Sequence, residues 1–409
     1  MPRAPDAGRY GAGVTDDTPR RTVRPLAVLA ALGSTLALSL SLAGPAATAD
    51  AADRVPKVAD LGPTSFAVRG PFAVGEARLK LPPTGSAVEV WYPSRKADAK
   101  GKRPARYDVV DALPPSYQAV VPDGASVTYP SGGVRGLDVA RGRFPLVVFS
   151  HGFAGFPTQS SFLTSWLASW GFVVAAPDHP NRDLAAALSF STSSTGDPDV
   201  KDLSRTITLM RSLDRAARGR FSGHVDTDLV GAVGHSAGGS AVEALAAVDK
   251  RITTFVGLAG ASVGALTGDA KGPRTKVPHQ PGLLMAGTAD GIITPDRMEA
   301  AYDQLRDPKR LVLVGGGHHA FSDLCEIGAG DGGLLAIADL LGLPVPESFV
   351  ALATDGCSPP ALPPTEAWPA IRQTVVAHLR HEFGFDRSRK ALRGLVAAYP
   401  GVVSGNRTD

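Results

Sequence analysis

Cysteine is nearly absent from this chain: two in 409 residues, Cys325 and Cys357. That number is too small for a disulfide framework. With no matching histidine spacing it also excludes a thiolate zinc site, so no metal is expected. An excess of one charge is missing as well, with 42 Lys and Arg against 39 Asp and Glu. No basic stripe argues for nucleic acid as a partner. Long apolar runs are missing beyond residue 42, so no stable membrane insertion of the mature chain is expected. Repeats and heptads are missing too. What remains is the composition of an ordinary globular protein, 44% hydrophobic and 20% charged.

The one long apolar stretch lies near the N-terminus. Arg20, Arg21 and Arg24 precede an uncharged run from Leu26 to Leu42; Gly44-Pro45 breaks it, and Ala47-Thr48-Ala49 supplies small residues before Asp50. Charged, apolar and small-residue regions in that order predict a cleaved secretory signal over 1–49, the alternative being a short membrane anchor. The arginine pair leaves a twin-arginine signal open. A secreted, extracellular protein is therefore expected. In an exported chain two lone cysteines predict a Cys325–Cys357 disulfide.

After a lead over 50–70, Phe72 to Leu81 and Ala87 to Tyr92 read as a strand meander, and 95–142 reads as a long surface connection. Continuous apolar runs at Pro145–Ser150, Phe172–Ala176, Leu229–Val233, Thr253–Leu258, Pro281–Met285 and Arg310–Val314 read as buried strands. Helical stretches at 159–170, 200–218, 295–305 and 367–383 separate them. Strands and helices in alternation predict an α/β fold, a mostly parallel central sheet with helices on both faces. One catalytic domain is expected over 71–385, with a Gly- and Pro-rich insertion at 324–366 holding both cysteines, and a C-terminal tail over 386–409.

Chemistry concentrates at Gly234-His235-Ser236-Ala237-Gly238-Gly239. An apolar strand precedes it and a small-residue helical stretch succeeds it, so Gly-x-Ser-x-Gly here predicts a strained strand-to-helix turn with an exposed hydroxyl. Gly260-Ala261-Ser262-Val263-Gly264 fits the same pattern, but the residues after Gly264 cannot sustain a helix, so Ser236 is the expected nucleophile over Ser262. A serine needs a base, and the base an orienting acid. Asp290, on the turn after one late strand, is the expected acid, with Asp296 the weaker alternative as a first-turn helix residue. The glycine run Gly315–Gly317 ahead of His318 and His319 carries the base; His318 is chosen over His319. Oxyanion donors are expected in the backbone N–H groups of Ala237 and of Phe153, in the loop His151-Gly152-Phe153. No cofactor is required by this chemistry.

The runs Val88-Glu89-Val90-Trp91-Tyr92-Pro93, Phe144 to Phe153 and Gly234 to Gly239 resemble the α/β-hydrolases. Within them the chain is similar to the platelet-activating-factor acetylhydrolase and dienelactone-hydrolase-like branch. Gly152–Gly155 and Gly287-Thr288-Ala289-Asp290 are also similar to bacterial cutinases, although those lack the 324–366 insertion. The resemblance implies a serine esterase or lipase with Ser236, Asp290 and His318 as triad, acting on a small-molecule, lipid or polymer ester. It also places His179, after the strand at 172–176, at the pocket. His319, the histidine not chosen as base, is expected to line the site or pack on the surface. An amidase or peptidase using the same residues, or a binding protein on the same fold, are the competing readings.

Overall fold

The computed structural model describes residues 55–193, 197–261, 277–329 and 333–409. The expected signal segment 1–49 and Ser262 lie outside the described residues. Twelve strands occur in chain order among the described residues: β1 (Ala73–Lys80), β2 (Ala87–Ser94), β3 (Arg106–Asp108), β4 (Thr128–Pro130), β5 (Val134–Arg135), β6 (Phe144–Ser150), β7 (Val173–Pro177), β8 (Val225–His235), β9 (Ile252–Leu258), β10 (Gly282–Gly287), β11 (Lys309–Val314) and β12 (Val403–Thr408). Ten of them form one sheet in the order β12-β11-β10-β9-β8-β6-β7-β2-β1-β5, and β3 and β4 form a separate ribbon. From β7 across to β11 every pairing is parallel; β1, β2 and β12 enter antiparallel at the flanks. This is the α/β-hydrolase arrangement expected from the sequence.

The apolar runs read as buried strands because both faces are covered. Successive side chains of a strand point to opposite faces. On β6, Val147 and Phe149 join a core with Trp166 and Leu167 of helix Ser161–Ser169 and Trp368, Ile371 and Leu379 of helix Pro364–Glu382. Leu146 and Val148 face the other core, with Leu203 and Met210 of helix Pro198–Arg215 and Val242 and Leu245 of helix Ala237–Val248. Each such side chain contributes about 1.5–3 kcal/mol on burial. Parallel strands need crossovers, and helices Ser161–Ser169, Pro198–Arg215 and Ala237–Val248 supply three of them.

Three segments differ from the sequence reading. The segment 386–409 is not a free tail: it ends in β12, which pairs with β11 and closes that edge of the sheet. A six-residue strand of Ser, Gly, Asn, Arg and Thr after a single Val carries too little apolar signal to be read as one. The lead is anchored as well. Phe66 is fully buried, its N–H donates to Gln373 Oε1 (2.6 Å), and its carbonyl accepts from Trp166 Nε1 (2.9 Å). The connection 95–142 contains the β3–β4 ribbon and β5, which joins the main sheet beside β1.

The insertion carries two helices, Gly333–Leu340 and Glu347–Thr354, and the Cys325–Cys357 disulfide is formed.

Candidate active site

Strand β8 runs apolar to His235, and helix Ala237–Val248 starts one residue after Ser236. The reversal between them puts Ser236 at φ 56°, ψ −124°, a region that costs a non-glycine residue about 1–3 kcal/mol. Packing around the turn enforces it. A Cβ on Gly238 would lie 2.1 Å from the carbonyl oxygen of Ser150, and one on Gly260 would lie 1.9 Å from that of Ser236. The first glycine of the decoy motif at 260–264 thus serves the turn at 236 by letting β9's exit approach it.

Three strand ends bring the triad candidates together. Ser236 follows β8, Asp290 follows β10, and His318 opens the short turn His318–Phe321 after β11. His318 Nε2 lies 2.9 Å from Ser236 Oγ, and His318 Nδ1 lies 2.9 Å from Asp290 Oδ2. The other oxygen of Asp290 accepts the N–H groups of Ile292 (2.8 Å) and Ile293 (2.7 Å), which fixes the carboxylate plane. With a carboxylate at Nδ1, the proton of neutral His318 sits there, and Nε2 is free to accept from the serine hydroxyl. Asp296 instead occupies the first turn of helix Pro295–Gln304.

His319 is turned away from the serine. Its Nε2 donates to the carbonyl of Leu352 (2.6 Å) and its Nδ1 accepts from Ser322 Oγ (3.0 Å). His235 packs against the base, ring centroids 4.8 Å apart. Its Nε2 donates to the carbonyl of His318 (3.1 Å), and Gln159 Nε2 donates to its Nδ1 (2.9 Å). His179 is fully buried, bonded to Ser150 Oγ (2.9 Å) and facing Asp202. The family resemblance marked its position and not its orientation.

Burial keeps these neighbours uncharged. It pushes His319 down to about 4 and holds His235 and His179 well below the ordinary imidazole value, with adjacent cations as a lesser cause. A depressed folded-state value stabilises the fold above 6.5, the ordinary value, and that contribution is lost as pH falls from 6.5 towards about 4. His319→Gln is expected to flatten the fall in unfolding free energy by roughly 1 kcal/mol per pH unit over that window. Denaturant titrations at pH 7, 6 and 5 check it; parallel curves for parent and variant would refute it.

The loop His151-Gly152-Phe153 is shaped by Arg182, a residue that sequence reasoning missed. Its guanidinium is buried and paired with Asp199. Nη1 donates to the carbonyls of His151 (2.6 Å) and Gly152 (2.7 Å), and Nη2 to Ser150 Oγ (2.9 Å). In a trans peptide the carbonyl and the following N–H point opposite ways. Drawing the Gly152 carbonyl inward therefore turns the Phe153 N–H outward, and among the described residues that N–H meets no acceptor. Ala237 N–H, at the first turn of its helix, is likewise free of an intrahelical partner. Gln159 Oε1 accepts from Gly152 N (3.1 Å), so one amide links this loop to His235 and, through it, to His318.

Two further residues were given no role from the sequence. Asp323, four residues after His319, is fully buried and accepts the N–H groups of Ser161 (2.7 Å) and Phe162 (3.0 Å). It caps a helix whose preceding serine makes no side-chain cap. Asp355 lies in the insertion, two residues before Cys357. One oxygen accepts His318 N–H (2.6 Å), the other Gly291 N–H (3.0 Å), and its carbonyl accepts His319 N–H (3.2 Å). It pins the Asp290 turn to the His318 turn. Asp355→Asn turns one acceptor into a donor facing an N–H. The variant is expected to lose roughly tenfold to a hundredfold in kcat with KM little changed, because small misplacements of a base are costly. A drop in thermal stability with kcat intact would make Asp355 merely structural.

A serine, imidazole and carboxylate in this relay can perform acyl transfer. Among the described residues no cluster of His, Cys, Asp and Glu is arranged to hold a metal ion. Residues 125–217 match the family described as platelet-activating factor acetylhydrolase, isoform II. Two relatives carry the name platelet-activating factor acetylhydrolase. The one from Canis lupus familiaris is 26% identical over 154 residues, 28% of this chain and 35% of that protein. The one from Cavia porcellus is 21% identical over 222 residues, 44% of this chain and 49% of that protein. The matches thus span about a third to a half of these relatives' length. A solved ferulic acid esterase from Streptomyces cinnamoneus superposes with a TM-score of 0.51 at 24% identity, over 78% of this chain and 92% of that one, a likeness of fold.

Proposed function

We propose that this α/β-hydrolase, of the platelet-activating-factor-acetylhydrolase-like branch, is an exported serine carboxylic-ester hydrolase working through an acyl-enzyme. The observation that carries the reading is the unbroken relay Ser236–His318–Asp290, two contacts of 2.9 Å each, drawn from three separate strand ends. In this reading His318 takes the Ser236 proton as Oγ attacks the ester carbonyl. The tetrahedral oxyanion is held by the N–H groups of Phe153 and Ala237, the latter aided by the helix dipole. His318 then protonates the leaving alkoxide, and the acyl group stays on Ser236. Water, deprotonated by the same imidazole, releases the acid. Asp290 keeps the tautomer and stabilises the imidazolium without taking the proton.

Export is supported by the signal-like order of residues 20–49 and by the Cys325–Cys357 disulfide, which persists in oxidising compartments. The experiment for the reaction type compares p-nitrophenyl acetate and butyrate with p-nitroanilide analogues. Turnover of the esters and not of the anilides is expected. Preferential anilide cleavage would move the assignment to amide hydrolysis, and inertness to both, with no labelling by a fluorophosphonate, would leave a binding protein.

A further inference from the structure

The disulfide-closed insertion does more than hold Asp355. Its two helices roof a cleft of about 150 Å³. Leu335, Ile337, Ala338 and Val345 line the roof side, and Val110 and Leu188 come from elsewhere in the chain. Helix Gly333–Leu340 has no fully buried residue: Leu334, Leu335 and Ile337 stand half-covered, and Leu340 is exposed. The cleft meets the proposed site at two points. Phe153, whose N–H is the expected oxyanion donor, puts its ring on the wall and stacks on Phe349 of the roof, centroids 6.1 Å apart. His319, next to the base, is also on the wall. Phe153 also lines a second cleft, together with Ala237 and Ser240.

We infer that the roofed cleft holds an unbranched hydrocarbon chain of the ester, several methylenes long. This rests on the hydrolase reading and names the substrate class of that site. The lining decides the chemistry. Among the described residues its only polar side chains are Tyr117 and His319. The Tyr117 hydroxyl donates to the carbonyl of Pro344 (3.0 Å), and both nitrogens of His319 are engaged. A hydroxylated aromatic acid would lose its hydrogen bonds to water there and find none in exchange, whereas a hydrocarbon chain loses nothing polar. Chain burial covers the half-exposed roof, and each methylene removed from water strengthens binding by up to about fourfold.

The test has a kinetic and a binding arm. The kinetic arm measures kcat/KM for p-nitrophenyl esters from acetate to laurate, for acetates of methyl to dodecyl alcohols, and for a feruloyl ester. One chain series is expected to rise about two- to fourfold per methylene until the cleft is full. Ala338→Phe, and independently Val345→Trp, are expected to cut the long-to-short ratio at least tenfold. A rise in the acyl series places the chain on the acyl side, a rise in the alkyl series on the alcohol side; each supports the inference. Flat series, or a preferred feruloyl ester insensitive to both plugs, overturn it. The binding arm follows the fluorescence of a conjugated polyene fatty acid. Binding that both plugs weaken tenfold or more supports the cleft even if no ester is turned over, an outcome that would sink the hydrolase reading alone. No binding together with flat series would sink the cleft alone.

Discussion

Ser236→Ala is expected to lower kcat for a p-nitrophenyl ester by roughly five to six orders of magnitude. The residue left behind cannot form an acyl-enzyme, so only substrate positioning and the two N–H donors remain, worth a residual rate well above that in water. The fold should tolerate the change. The strain at φ 56° belongs to the turn and is the same for Ala and Ser, and the close approaches at Gly238 and Gly260 involve main chain only. Unfolding midpoints of parent and variant should therefore agree within a few degrees while activity vanishes. A variant retaining more than about one part in a thousand of the parent kcat would mean that another group attacks the carbonyl.

His318→Ala is expected to be nearly as severe, and its value lies in the contrast with His319→Ala. Adjacent in sequence, the two imidazoles have different duties in the fold. His318 bridges Ser236 and Asp290; His319 bridges Ser322 and the carbonyl of Leu352. Removing the first leaves the serine without a base, and because nucleophile and base act as a unit its loss should approach that of Ser236→Ala, with little further loss in the double variant. Removing the second loosens the insertion against the base turn, and a kcat loss of about tenfold or less is expected, accompanied by lower stability. A reversed order, with His319→Ala the crippling change, would contradict the assignment of the base.

The sheet and the relay were legible because each leaves a local signal. Strands covered on both faces read as unbroken apolar runs, and the elbow reads as glycine, serine and glycine between a strand and a helix. The strand-end positions of Asp290 and His318 followed from chain order. What was hidden depends on distant contacts. Arg182 looks like any loop arginine until its guanidinium is seen drawing two carbonyls inward. Asp355 lies 37 residues beyond the N–H it holds, inside a segment read only as an excursion. His179 resembled a pocket residue because its neighbours in sequence fit the family pattern, but β7 delivers its ring inward. Edge strand β12 is too polar to announce itself, since an edge strand on a sheet's flank needs no double cover.

The central claim is that the strained serine at the end of β8, and no other, becomes covalently acylated. The most direct measurement is active-site titration with a fluorophosphonate, followed by mass spectrometry of the digested adduct. One equivalent on the peptide containing Ser236, with loss of esterase activity in step with labelling, is the result expected. An adduct on the peptide containing Ser262, or full activity after stoichiometric labelling elsewhere, would contradict the account.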